Sequence, residues 1–241
     1  MALSKSNIDY LTHVWNFQTG CLNQEQGVCK LPCWAKAQAK RFGRSFEPEL
    51  HLGKLTDTLP KEPARIGVCF TGDLFGDWVD PDMLPAIPLR ERVFFWIKKH
   101  PQHQFFFLTK CPWNLRKWGE LPDNAWVGVT VCDQEMLIQA LTHLCNLRAK
   151  NKWLSIEPLC EALNGGGECE GKRLDGLKDA GISWVVIGAQ THPTIQPKPE
   201  WVKEIIEACD KARIPVFLKD NLNGIGGNRK ELPNQAVMGA E

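Results

Sequence analysis

The stretch "TGCLNQEQGVCKLPCWA" places Cys21, Cys29 and Cys33 on one short loop, with seven and then three residues between them. Thiolates are soft ligands, suited to zinc, copper or iron–sulfur chemistry. A structural zinc site needs four ligands, usually as two close pairs. Here three cysteines stand without a fourth nearby, and His13 and His51 lack finger spacing. An iron–sulfur cluster tolerates uneven spacing, and three thiolates on a four-iron cluster leave one iron open to a substrate or cofactor. With the loop following a predicted first strand, S-adenosylmethionine at an open iron is the expected chemistry.

The elements that must position this loop are legible in the apolar runs. "RIGVCF" (Arg65–Phe70), "QFFFLTK" (Gln104–Lys110), "AWVGVTV" (Ala125–Val131), "KWLSIEP" (Lys152–Pro158), "SWVVIGA" (Ser183–Ala189) and "IPVFLKD" (Ile214–Asp220) are continuous rather than alternating. That is how strands of a parallel sheet buried on both faces read. A shorter strand is expected near His13–Asn16. Helical stripes lie between them: Leu89, Val93, Trp96 and Ile97; then Leu137, Ala140, Leu141, Leu144 and Leu147 behind the N-cap Asp133; then Trp201, Val202, Ile205, Cys209 and Ala212 behind Pro199. A helix over Trp34–Phe42 is expected to bury Ala35, Ala39 and Phe42. "NGGGECEGKR" (Asn164–Arg173) reads as an exposed turn or small insertion. The alternation predicts an α/β fold with mostly parallel strands, a partial (β/α) barrel in one domain over residues 1–220, with residues 221–241 as a loose C-terminal tail.

Parallel strands present ligands at their C-terminal ends. Thr71, Asp73, Thr109, Lys110, Thr130, Glu157, Gln190, His192, Lys219 and Asp220 fall there, on the same rim as the cysteine loop. Cys111, Cys132 and Cys160 also follow strands and would lie near it as small half-buried thiols.

The chain has 241 residues, 43% of them apolar, and a net charge of +1. That balance does not mark a general polyanion binder. No apolar run is long enough to span a bilayer, and the N-terminus lacks the core of a signal peptide, so a cytoplasmic protein without membrane association is expected. Ten cysteines in a reducing compartment favour metal or catalysis over disulfides.

The blocks "VWNFQTGC" with "CKLPCWA", "FTGDLFGD", "FFFLTKCPWNL", "WVGVTV", "LSIEPL", "WVVIGAQTHP" and "PVFLKD", in this order, resemble a phage and prokaryotic family of radical S-adenosylmethionine-like proteins of unknown function, often found with three-Cys-motif partner proteins. The resemblance implies a radical SAM partial barrel with a [4Fe-4S] cluster on Cys21, Cys29 and Cys33. It implies reductive cleavage of S-adenosylmethionine to a 5′-deoxyadenosyl radical. Thr71, Gly72, Asp73, Thr109, Lys110, Thr130 and Glu157 would line the cofactor site, with Lys219 and Glu157 as catalytic candidates. An electron donor such as a flavodoxin or ferredoxin would be a partner, as would a three-Cys-motif protein. The substrate expected by analogy is a nucleic acid or nucleotide. The cysteine gaps are longer than the usual Cys-x3-Cys-x2-Cys, and Pro32 precedes the third cysteine.

Two other classes compete. One is a metal-free barrel enzyme using Lys219 or Lys110 as a Schiff-base amine. The other is a zinc-stabilised module binding a partner or nucleic acid through Trp113, Arg116, Lys117 and Trp118.

Overall fold

The computed structural model describes residues 2–163 and 174–233. Its main sheet has eight strands: β1 (Ser4–Lys5), β2 (His13–Trp15), β3 (Arg65–Val68), β4 (Gln104–Thr109), β5 (Ala125–Thr130), β6 (Asn151–Ile156), β7 (Ile182–Ile187) and β8 (Val216–Leu218). Spatial order follows chain order throughout. β1 pairs antiparallel with β2, and every later pair is parallel. A doubly wound sheet reverses its strand order at a switch point; this one does not. The fold is therefore α/β with a mostly parallel sheet wound in one direction, as a partial barrel requires.

Among the described residues four α-helices pack with it: α1 (Trp34–Arg41), α2 (Leu89–Lys98), α3 (Gln134–Cys145) and α4 (Pro199–Ala212). Asp133 caps α3 by accepting from the Met136 N–H, and Pro199 opens α4. The apolar stripes of α2, α3 and α4 join one core with Ile66, Val68, Phe105, Phe107, Val127, Leu154, Val185 and Val216. The alternate residues face the opposite way. Phe106, Trp126, Trp153, Trp184, Val186 and Phe217 form a second core with Tyr10 and Leu11. Among the described residues, helices thus cover one face of the sheet only, and its inner face is lined by aromatic rings. Tyr10 meets Trp153, Trp184 and Phe217 edge-on, the geometry that ring quadrupoles favour.

The inner face is graded along the strands. Large rings occupy its N-terminal half; toward the C-terminal ends come Gly128 and Thr130 on β5, Ser155 on β6 and Gly188 after β7. Gly128 is a steric necessity, since a Cβ there would lie 2.2 Å from the Trp153 indole. The grading fills one end of this face and leaves small and polar residues at the other.

Two expectations are corrected. In α1 only Ala35 is buried; Ala39 is half-buried and Phe42 is 60% exposed, because no described residue packs over that side of the helix. The chain beyond Asp220 is not a loose tail as far as Pro233. Leu222 is buried, Lys230 bridges antiparallel to Phe217, and Arg229 pairs with Asp210 and Glu231. This segment satisfies the free edge of β8, which would otherwise offer unpaired backbone. Residues 234–241 and the expected turn at Asn164–Arg173 lie outside the described residues.

Candidate functional site

The C-terminal ends of β2 through β8 all lie along one edge of the sheet, and the cysteine loop leaves from the end of β2. The loop is anchored where two glycines cross. Gly20 and Gly72 form a parallel bridge, and the Gly20 N–H donates to the Thr71 carbonyl at 3.1 Å. At Gly20 (φ +79°) a Cβ would sit 2.1 Å from the Glu47 carbonyl oxygen, and at Gly72 2.4 Å from Gln18 Oε1. Side chains are excluded from both positions. Gln18, itself buried, donates to the Thr19 and Gly20 carbonyls at 3.0 and 2.9 Å.

Asn23 ties this loop to the rest of the rim, and nothing in its sequence context singled it out. It is buried and sits between Cys21 and Cys29. Its Nδ2 donates to Asp73 Oδ2 at 2.9 Å, its Oδ1 accepts from the Cys111 thiol at 3.1 Å, its N–H donates to Cys21 Sγ at 3.4 Å, and its carbonyl accepts from the Cys29 N–H at 2.8 Å. Asp73, also buried, further accepts from the Lys110 N–H at 3.0 Å and the Phe75 N–H at 3.1 Å, with Thr109 adding a side-chain bond. Burial raises the Asp73 carboxyl, and these donors hold the rise back. Asp73 is thus a saturated hub joining the loop to the ends of β3 and β4. In contrast, Thr71 Oγ1 and Gln18 Oε1, at the glycine crossing, are buried and lack partners among the described residues.

The three thiols are half-buried. Burial pushes the Cys21 thiol up to about 12, partly offset by the Asn23 N–H. Cys33 is the N-cap of α1, its sulfur accepting from the Lys36 N–H at 3.5 Å. The Cys29 thiol donates to the Leu31 carbonyl at 3.7 Å. Burial works against the Lys110 ammonium, but Cys29, Cys132, Asp73 and Cys33 outweigh it and hold the amine above its ordinary range. In donor type, number and place on the rim the cysteines fit a cluster, and two sulfurs already receive the backbone N–H bonds that tune such centres. Among the described residues, however, no three His, Cys, Asp or Glu side chains are gathered tightly enough to hold a metal ion.

The other end of the rim carries an ion pair. Lys219 Nζ lies 2.5 Å from Glu157 Oε1, both side chains largely buried. Gly188 leaves room for that carboxylate, since a Cβ there would come within 3.0 Å of Glu157 Cδ. Thr130 and Ser155 are buried nearby on β5 and β6. Gln190 and His192 are carried away on a hairpin, Gln190–Thr191 against Thr194–Ile195, with His192 exposed at its turn. Cys132 and Cys160 are hydrogen-bonded neighbours, the Cys160 N–H also donating to the Cys132 carbonyl at 3.0 Å.

The competing chemistries are poorly served. His51 is bonded to Thr19 Oγ1 at 2.9 Å and His13 to Thr12 Oγ1 at 3.0 Å, and neither is grouped with the thiols. Lys219 is engaged by a carboxylate, whereas a Schiff-base amine must be free to attack. The aromatic–basic patch of the binding-module reading does not form. Trp118 is buried against Phe75 and Phe94, and Trp113 donates to Asp77 at 3.0 Å, which leaves Arg116 and Lys117 exposed without aromatic companions among the described residues. Two surface depressions, one lined by Asp210, Arg213 and Arg229 and one by Glu120, Asp123 and Arg148, lie at the opposite, N-terminal edge of the sheet. They are remote from this chemistry. No helix is long and apolar enough to cross a membrane among the described residues.

A one-way-wound, mostly parallel α/β sheet with a cysteine loop on its C-terminal rim defines the class. The chain belongs to the family described as "Protein of unknown function (DUF5131)", whose profile matches residues 5–230. No curated protein matches it in sequence. Among solved structures it is similar to one described as "Spore photoproduct lyase complexed with dinucleoside spore photoproduct", at 11% identity and a TM-score of 0.50, covering 90% of this chain and 79% of that one. At that identity the likeness is one of fold.

Proposed function

We propose that this protein is a radical S-adenosylmethionine enzyme acting on a nucleic acid or nucleotide. The observation that carries the reading is the three-thiol loop, pinned by Asn23 and Asp73 to the C-terminal rim of a sheet whose other end is filled by aromatic rings. The similar solved structure is a radical SAM enzyme, and its described ligand is a dinucleoside; both support the reading at the level of class.

A four-iron cluster on Cys21, Cys29 and Cys33 would supply the electron for reductive cleavage of S-adenosylmethionine, drawn from a flavodoxin- or ferredoxin-like donor. The reading requires the 21–33 loop to draw its sulfurs together. Asn23, whose backbone already touches Cys21 and Cys29, is the residue that would hold that arrangement. Asp73 has its hydrogen-bonding capacity spent on the protein, so its part is positioning. The unsatisfied oxygens of Thr71 and Gln18 are the better acceptors for a donor group on the cofactor, such as its amine. Lys110 offers a cation toward the thiols and a bound carboxylate. Glu157 with Lys219 can hold or move a proton at the substrate end, and the aromatic floor excludes water below.

The test is anaerobic reconstitution, with iron and sulfide analysis and electron paramagnetic resonance with and without S-adenosylmethionine. About four irons, and a reduced signal that changes with the cofactor, are expected. Alanine at Cys21, Cys29 or Cys33 should abolish assembly. Zinc, or no metal, in the reconstituted wild type would overturn the reading.

A further inference from the structure

Helix α1 begins at the third cysteine and has no outer cover among the described residues. Of its residues only Ala35 is buried. Trp34 is 50% exposed and Phe42, just past its end, 60%. Isolated exposed aromatics are ordinary, but these two lie among cations. Between Glu25 and Glu47 there is no acidic residue, while Lys30, Lys36, Lys40, Arg41 and Arg44 supply five positive charges. With a net charge of +1 for the whole chain, the rest of the molecule is net negative, so these charges make a local field that bulk composition conceals. The guanidinium groups of Arg41 and Arg44 lie 5.9 and 5.7 Å from the Phe42 ring centre, one extended cationic–aromatic platform. Lys36 is paired with Glu25 at 2.5 Å, a solvent-exposed contact that a stronger polyanion can displace.

We infer that the outer face of α1, from Lys30 to Arg44, is a docking surface for single-stranded nucleic acid, leading the strand to the cysteine loop. The inference rests on the substrate class of the function proposed above and adds where the polymer lies. Phosphates attract the cations, and unpaired bases have the faces needed to stack on Trp34, Phe42 and the arginines. A stacked duplex offers no such faces. An anionic membrane would want a broad apolar stripe, and this two-turn helix presents alanine, glutamine and lysine between its aromatics.

The experiment is fluorescence anisotropy of a labelled oligothymidylate of about ten nucleotides, the span of one such groove. Protein with and without reconstituted cluster is compared. The logarithm of affinity should fall with the logarithm of salt at a slope of about −3.5 for five phosphate contacts, moving toward −2 in Lys40→Gln/Arg41→Gln. Trp34→Ala and Phe42→Ala should each weaken binding roughly 5- to 150-fold. Lys117→Gln, on an exposed basic segment away from α1, should leave binding unchanged. Unaltered melting temperatures would show that these exposed substitutions do not act through folding. No binding at low salt, insensitivity to the α1 substitutions, equal affinity for duplex, or tighter binding to phosphatidylserine vesicles would each overturn the inference. Oligonucleotide binding without cluster assembly would refute the radical chemistry alone; cluster assembly without binding would refute the docking surface alone.

Discussion

Replacing Asn23 by alanine should cost this protein far more than one polar side chain usually does. The amide donates at 2.9 Å to Asp73 and accepts at 3.1 Å from Cys111, and both Asn23 and Asp73 are buried. A hydrogen bond to a charged group contributes about 1.5–3 kcal/mol, and a thiol bond adds a fraction of that. The expected loss is about 2–4 kcal/mol, equivalent to roughly 5–15 °C in melting temperature for a chain of this size. The loss should depend on pH in a fixed direction. Burial raises the folded Asp73 carboxyl above its usual 3.8. As pH rises through that value the unfolded chain ionises first, so the buried carboxylate subtracts stability, fully so above its folded pKa. Asn23 limits this penalty by bonding the ionised form. Its removal therefore hurts most at neutral pH, and the loss should shrink as pH falls toward 3.8 and Asp73 takes up its proton. Urea unfolding of wild type and Asn23→Ala at pH about 7.5 and about 4.5 measures both effects. A loss below about 1 kcal/mol at neutral pH, or one equal at the two pH values, would refute the reasoning.

Other consequences are as direct. Gly128→Ala would drive a Cβ to 2.2 Å from an indole already hemmed in by Tyr10, Phe106 and Trp184. A loss of about 1–3 kcal/mol or more is expected in urea unfolding, with Trp153→Phe in the same chain recovering part of it by making room. Lys219→Met leaves the Glu157 carboxylate without its partner 2.5 Å away in a largely buried site. The single substitution should cost about 1–3 kcal/mol, and a double-mutant cycle with Glu157→Gln should return a coupling of about 0.5–3 kcal/mol. Additive single effects would mean that the pair contributes nothing as a pair.

Much of the architecture was legible because it depends on local pattern. Continuous apolar runs predicted each parallel strand to within a residue or two, since strands buried on both faces cannot alternate. The stripes behind Asp133 and Pro199 are where α3 and α4 lie. The helix after Cys33 was also visible, yet Phe42 was assigned to the core. Helical spacing says which residues share a face and nothing about whether a neighbour covers it. Trp118 shows the opposite case: beside Arg116 and Lys117 the competing binding-module reading places it on a surface patch, but the ring turns inward to Phe75 and Phe94.

The sequence by itself determined the parallel α/β class, the strand ends that share one rim, and three soft ligands on one loop, because strand burial, strand polarity and thiol chemistry are properties of residue type and order. Only the tertiary structure decided what each rim residue is free to do. Asp73 is spent on Asn23, Lys110 and Phe75, Lys219 is spent on Glu157, and the Thr71 hydroxyl has no partner among the described residues. Those outcomes join residues up to 62 positions apart. They depend on contacts of 2.5–3.1 Å between segments that no local pattern relates, which is why Asn23, one asparagine in a polar loop, shows no sign of its role until the chain is folded around it.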